Sequence, residues 1–149
     1  MKTDKSDFLQ LPLSLKKIIE NMHFHHIGVA TFNIEKELAG YEILGYTRDS
    51  DIFEDENQGI RGLFITAPGQ PRLELLENLP DSKTLDVWLK NKTKMYHFAY
   101  FVDDIESAIK ILKENKLRIA SPLKFSSYFN SRICFLMLQN FFIIELVET

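Results

Sequence analysis

The sequence is short of the residues that would place it outside the cell or in a bilayer. Its single cysteine, Cys134, cannot form an internal disulfide, so the chain has no disulfide framework of its own and a reducing cytoplasm is the expected compartment. That cysteine sits in the apolar run "RICFLML", where it reads as a small buried hydrophobe rather than a nucleophile. No apolar run approaches the ~20 residues of a membrane-spanning helix, and the start, "MKTDKSDFLQ", is too polar for a secretory signal. An excess of one charge is missing too. With 18 basic and 21 acidic residues the net charge is −3, which lacks the electrostatic footprint of a nucleic-acid or anionic-membrane partner. Low-complexity segments are absent, and histidine is scarce: of four, three crowd into "HFHHIGVAT".

What is present is 45% hydrophobic residues in 149, enough for one well-cored domain. The chain also repeats itself. A shift of 71 residues, without a gap, places His26 on His97, Ile34 on Ile105, Glu35 on Glu106, Arg61 on Arg132, Phe64 on Phe135, Glu74 on Glu145, Leu75 on Leu146 and Glu77 on Glu148.

Local signals agree along both halves. Each opens with a strand, "HHIGVAT" or "YHFAYFV", followed by a helix. Asn33 caps the first helix, whose apolar face is Ile34, Leu38 and Tyr41 and which Gly45 ends. Asp103 or Asp104 caps the second, which carries Ile105, Ala108, Ile109 and Leu112. Then "RGLFIT" turns through "APGQP" into "RLELLE", and "RICFLML" through "QN" into "FFIIELVE", as two hairpins. Each half is therefore βαβββ. The expected layout is an N-terminal extension over 1–23, a first module over 24–79, a linker over 80–94 and a second module over 95–149, together one structural domain. Leu15, Ile18, Ile19 and Met22 predict an amphipathic helix from about Ser14 to Met22; in the linker, Ser82 is the expected cap of a helix with Leu85, Trp88 and Leu89 on one face.

Chemistry concentrates where the repeat pairs polar residues with apolar strands. Glu145 in "FIIELVE" and Glu74 in "RLELLE" are carboxylates in mid-strand, costly to bury unless paired or bound to a cation. His26 and His97 complete a set of two imidazoles and two carboxylates at matched positions. That set suits one divalent metal (Zn, Ni, Co, Mn or Fe) with positions left open for a substrate. His25 should point to the opposite face from His26, and His23 lies at the strand entrance, so both are read as structural or surface residues.

The stretches "HHIGVATFNIEKELAGYEILGY", "RLELLENLPDSKTLDVWL", "YHFAYFVDDIESAIKIL" and "IIELVE" resemble the glyoxalase I and methylmalonyl-CoA epimerase branch of the vicinal oxygen chelate superfamily over nearly all of residues 24 to 148. The resemblance implies an α+β fold in which two βαβββ modules form curved mixed sheets around a metal (the glyoxalase/bleomycin resistance/dioxygenase-like fold), with metal ligands His26, Glu74, His97 and Glu145. Four ligands favour the proton-transfer branch over iron dioxygenases, which use two histidines and one carboxylate. The activity implied is a metal-dependent isomerase or lyase that moves a proton on a small carbonyl or thioester compound through a metal-stabilised enolate, with Glu145 or Glu74 as the proton carrier. Two positions depart from the epimerase pattern: Gly62 stands where some epimerases carry an extra base, and "FSSYFNS" replaces an expected glycine-rich loop. Both count against a CoA thioester substrate.

Three further residues are candidates for holding a substrate. Arg61 and Arg132 are repeat-equivalent cations suited to a carboxylate or phosphate, and Tyr128, with Phe125 and Phe129, would line an apolar pocket. The expected partner is a small molecule, with neither nucleic acid nor membrane, and the resemblance implies a homodimer. Two competing readings remain open: a small-molecule sequestering protein of the bleomycin-resistance type, and a structural metalloprotein that turns nothing over.

Overall fold

The computed structural model describes residues 10–149; the polar start, residues 1–9, lies outside the described residues. Helix α1 (Leu13–Glu20) precedes β1 (His23–Ala30), α2 (Ile34–Glu42), β2 (Thr47–Arg48), β3 (Phe53–Asp55), β4 (Ile60–Thr66) and β5 (Leu73–Asn78). A short α3 (Asp86–Lys90) leads to β6 (Met95–Val102), α4 (Ile105–Glu114), β7 (Arg118–Ser126), β8 (Ser131–Met137) and β9 (Ile143–Glu148). The nine described strands join in one mixed sheet in the order β2-β4-β5-β1-β6-β9-β8-β7, with β3 also paired to β4. Among the described residues no helix is long and apolar enough to cross a membrane.

The repeat is visible in the pairing. β1 runs antiparallel to β6 at the centre, β1 is parallel to β5, and β6 is parallel to β9. Gly28 lies opposite Glu74 in one parallel pair and Ala99 opposite Glu145 in the other, again 71 residues apart. Each half lays its helix on the same side of the sheet. Ile34 and Leu38 of α2 pack on Val29, Leu63, Ile65, Leu73 and Leu75, while Ile105, Ala108 and Leu112 of α4 pack on Cys134, Leu136, Ile144 and Leu146. Leu15, Ile18 and Met22, in and just beyond α1, join the second cluster. Leu75 and Leu146 are fully buried, so truncating either to alanine should cost roughly 2–5 kcal/mol.

Both helix starts follow the expected chemistry. The Asn33 side chain accepts from the Lys36 N–H at 2.9 Å, and that of Asp104 from the Ser107 N–H at 3.0 Å. A second repeated device lies under each start. Glu77 accepts the Ile34 N–H and Glu148 the Ile105 N–H, both at 3.1 Å. Arg61 meets Glu77 at 3.3 Å, and Arg132 holds Glu148 through two bonds of 2.8 and 2.9 Å. In the linker, Ser82 is not the cap. It lies in the turn closed by its own N–H on the Leu79 carbonyl, three residues too early, and Asn78 at the end of β5 takes the Leu85 N–H at 2.9 Å instead.

The sheet curls until its two ends meet. Asp55 in β3 accepts from the hydroxyl of Ser126, in β7 at the far end of the strand order, at 2.6 Å, and Asn57 donates to the Phe125 carbonyl at 3.0 Å. No strand pairing joins these edges among the described residues, so the trough is held shut by side chains and remains unclosed as a barrel. The helices cover its convex face, and the concave face is left for polar chemistry.

Candidate metal centre

The four central strands β5, β1, β6 and β9 each contribute one polar side chain to the concave face: Glu74, His26, His97 and Glu145, all at most 4% exposed. His26 Nε2 lies 3.2 Å from Glu74 Oε2 and 3.5 Å from Glu145 Oε2; His97 Nε2 lies 3.1 Å from Glu145 Oε2 and 3.4 Å from His26 Nε2. Donor atoms around an ion with bonds of about 2.1 Å stand roughly 3.0–3.4 Å apart, so this spacing fits one divalent metal. His26, His97 and Glu145 form the compact group, with one donor atom each within 4.8 Å of the others. Glu74 touches that group through His26.

The electrostatics make the same case. Two buried carboxylates sit together; Glu74 Oε2 is buried without a hydrogen-bond partner, and Glu145 Oε2 has only the two imidazoles, at 3.1 and 3.5 Å. Burial, reinforced by the charge of Glu145, pushes the Glu74 carboxyl well above its usual range. Burial would raise Glu145 as well, but hydrogen bonds from His26 and His97 outweigh it and hold that carboxyl at about 2. A cation among these atoms would offset the repulsion and occupy the orphaned oxygens.

Gly28 explains how two imidazoles fit across adjacent strands. A Cβ at Gly28 would lie 1.9 Å from His97 Cε1 and 2.3 Å from its Nδ1. The His97 ring therefore lies over bare backbone. An isolated glycine inside a strand is the sequence signal of such a close approach.

His25 does not turn away from His26. A bulge in β1, where Phe24 pairs with Tyr100 and His26 with the very next residue, Ala99, makes His25 an extra residue and breaks the alternation. The Nδ1 atoms of His25 and His26 lie 2.8 Å apart, and the Arg72 guanidinium meets His25 Nε2 at 2.7 Å while pairing with Asp49 at 3.1 Å. His25 thus buttresses the His26 ring. Burial first, then the neighbouring His26 and Arg72, lower its pKa to about 4, so it is neutral at pH 7.

Space adjoins the set on two sides. A cavity of about 240 Å³ reaches Glu74 and His97 and is walled by Ile60, Leu76, Trp88 and Phe135, with Lys124 also in its lining. A more open cleft of about 410 Å³ is lined by His25, Asp49, Phe64, Arg72, Phe101, Tyr128 and Phe129. Tyr128 stacks on Phe53 with centroids 3.6 Å apart, and Phe129 lies parallel to the His26 ring at 6.1 Å. Phe125 is half exposed and lines neither space. Gly62 faces the concave side, but a Cβ there would meet the Phe53 ring at 2.4 Å, so an aromatic wall fills the place of a possible extra base. The structure sets Arg61 and Arg132 apart from the ligands. Their partners Glu77 and Glu148 stand three residues beyond Glu74 and Glu145 on the same strands, hence on the helix-covered face.

A model of the Glyoxalase/Bleomycin resistance protein/Dioxygenase superfamily matches residues 25–135. The mitochondrial methylmalonyl-CoA epimerase of Bos taurus is 35% identical over 100 residues, 65% of this chain and 56% of that one. The mitochondrial epimerase of Dictyostelium discoideum is 28% identical over 103 residues, 66% of this chain and 60% of that one. The chain thus spans less than two thirds of the length of these curated relatives. Among solved structures, methylmalonyl-CoA epimerase from Mycobacterium tuberculosis superposes with a TM-score of 0.71 at 23% identity, covering 95% of this chain and 94% of that one. With the family model spanning the repeat from the His25–His26 pair into β8, and the same paired-module fold in that neighbour, this chain belongs to the glyoxalase/bleomycin resistance/dioxygenase superfamily, the vicinal oxygen chelate proteins.

Proposed function

We propose that this protein is a divalent-metal-dependent isomerase or lyase of the glyoxalase I and methylmalonyl-CoA epimerase type, moving a proton on a carbon next to a carbonyl or thioester. The observation that supports this best is the convergence of four buried side chains from the four central strands, with donor atoms 3.1–3.5 Å apart beside an open cavity. His26, His97 and Glu145, joined by Glu74, would hold the ion. When bound, a divalent ion supplies Lewis acidity to a substrate oxygen and so lowers the cost of removing the neighbouring proton.

The rest falls to the chain. Glu145 is the fixed carboxylate, held between two imidazoles. Glu74 is the one glutamate among the described residues that both touches the set and lines the cavity where a substrate carbon would lie, so Glu74 carries the proton. The aromatic wall of Phe53, Phe64 and Tyr128 keeps water from that side. Substrates range over small 2-oxo, hydroxy or thioester compounds, of which the methylmalonyl-CoA named in the relatives is one. The buried, unpaired Cys134 suits a reducing cytoplasm.

The test is solvent exchange. Metal-loaded protein in deuterated buffer with 2-oxo acids, hemithioacetals and acyl-CoA thioesters should label the carbon beside the carbonyl. Glu74→Gln should lose exchange even at metal concentrations that restore full loading, and Glu145→Gln, which removes a member of the compact group, should weaken the metal more strongly. The sequestering reading is favoured by the cleft between Phe64, Phe101 and Phe129; tight binding of a panel member without exchange or conversion would select it.

A further inference from the structure

The cavity beside Glu74 and His97 has a polarity that the ligand set does not account for. Ile60 and Leu76 from the first half, Phe135 from the second and the Trp88 indole of α3 make its walls, the indole stacked on Tyr96 at 5.1 Å and 21°. Its charged side chains are Glu74, which lies beside His97, and Lys124 of β7. No carboxylate other than Glu74 lines it. The Lys124 ammonium has no ion pair or side-chain hydrogen bond among the described residues, a state it shares with other lysines; what sets it apart is its place in the cavity lining. A half-buried cation in a lining that also offers Gln58, Thr84 and Ser121 is a place for an anion brought by a ligand, because a hydrogen bond between two charged groups is stronger than one between neutral groups.

Size narrows the class. About 240 Å³ lies below the ~300–1,000 Å³ of sites for drug-sized ligands, so the enclosed part of a substrate is compact. Resting on the reading that Glu74 and His97 hold a metal, we propose that the cavity takes a compact dianionic oxo acid. Its vicinal oxygens face Glu74 and His97, its short apolar chain runs along Ile60, Leu76 and Trp88, and its second anionic group meets Lys124. Lys124 is then the residue that sets specificity, and a CoA thioester would fit at most its acyl group inside.

The test compares two probes of equal chain length, 2-oxoadipate, which has a distal carboxylate, and 2-oxohexanoate, which does not. Binding to the zinc-loaded protein is followed by methyl NMR at Ile60, Leu76 and Ile143, a readout independent of turnover. The expected result is binding of 2-oxoadipate at least about tenfold tighter than 2-oxohexanoate, with K124M bringing the ratio near one and leaving 2-oxohexanoate unchanged. Leu76→Trp, which fills the cavity, should abolish both. The proposal is overturned if K124M weakens both probes alike or neither, if the shifts fall outside the cavity, or if neither probe binds at millimolar concentration. Discrimination through Lys124 without any proton exchange would remove the proposed function and keep this assignment; exchange on substrates whose affinity ignores Lys124 would do the reverse.

Discussion

Replacing Gly28 by alanine adds one methyl group and no change in backbone region, since Gly28 is not among the positive-φ glycines. Its effect on the site should nevertheless be large. The new Cβ would stand 1.9 Å from His97 Cε1 and 2.5 Å from Nε2, where non-bonded carbons rest ~3.5–4.0 Å apart. The imidazole must therefore retreat by roughly 1.5 Å or rotate away, while metal–ligand distances tolerate about 0.2 Å. His97 is then lost as a donor. We expect zinc affinity to fall at least about 100-fold, or ~2.8 kcal/mol, with a modest overpacking cost of roughly 1–3 kcal/mol in stability. A competition titration against a chromophoric chelator measures the first and urea unfolding the second. Gly40→Ala is the control, because nothing lies within 4 Å of a Cβ there. Zinc binding by the Gly28→Ala protein within about threefold of the parent would refute the placement of His97 over this strand.

The remaining expectations separate site from scaffold. Glu77→Ala and Glu148→Ala should each cost on the order of 1 kcal/mol by freeing a helix N–H and an arginine, yet leave metal affinity unchanged in the same titration. His25→Ala should weaken metal binding by about 10- to 100-fold, because His25 orients His26; unchanged affinity would show the Nδ1 contact to be incidental. In chelator-treated Glu74→Gln protein, which lacks the opposing gain from protonating the raised Glu74 carboxyl, stability should fall as pH drops from 6.5 toward 4, since unfolded His25 and His26 take up protons that the folded form resists, His25 down to about 4. A second loss should follow from pH 4.5 toward 2 as Glu145, depressed in the fold, is protonated. Urea midpoints across that range check both, and His25→Gln should shrink the upper window to the share that buried His26 contributes while leaving the lower one in place.

The repeat carried much of this structure in plain view. A gapless shift of 71 residues set the two halves, and the observed pairing of Gly28 with Glu74 and Ala99 with Glu145 keeps that interval. Helix caps were legible at Asn33 and at the pair Asp103 and Asp104, of which Asp104 is the cap, because a short polar side chain before an apolar helical face has few other uses. The orientation of His25 was not, because a strand's alternation holds only until a bulge inserts a residue, and no local pattern in "HFHHIG" marks one. The roles of Arg61 and Arg132 were open to a finer reading. Glu77 and Glu148 lie an odd number of residues from Glu74 and Glu145, so the arginines opposite them had to face the helices. Lys124 and Trp88, far apart in sequence, become neighbours of the site only once the sheet curls, and nothing short of the tertiary fold announces that.

The central claim is that His26, His97, Glu145 and Glu74 bind one divalent metal, and elemental analysis of protein purified without chelator tests it most directly. The account predicts about one transition-metal ion per chain in the parent and its loss in the His26→Ala, His97→Ala double variant, provided that variant still folds by circular dichroism. Stoichiometric metal retained by the folded double variant would contradict it.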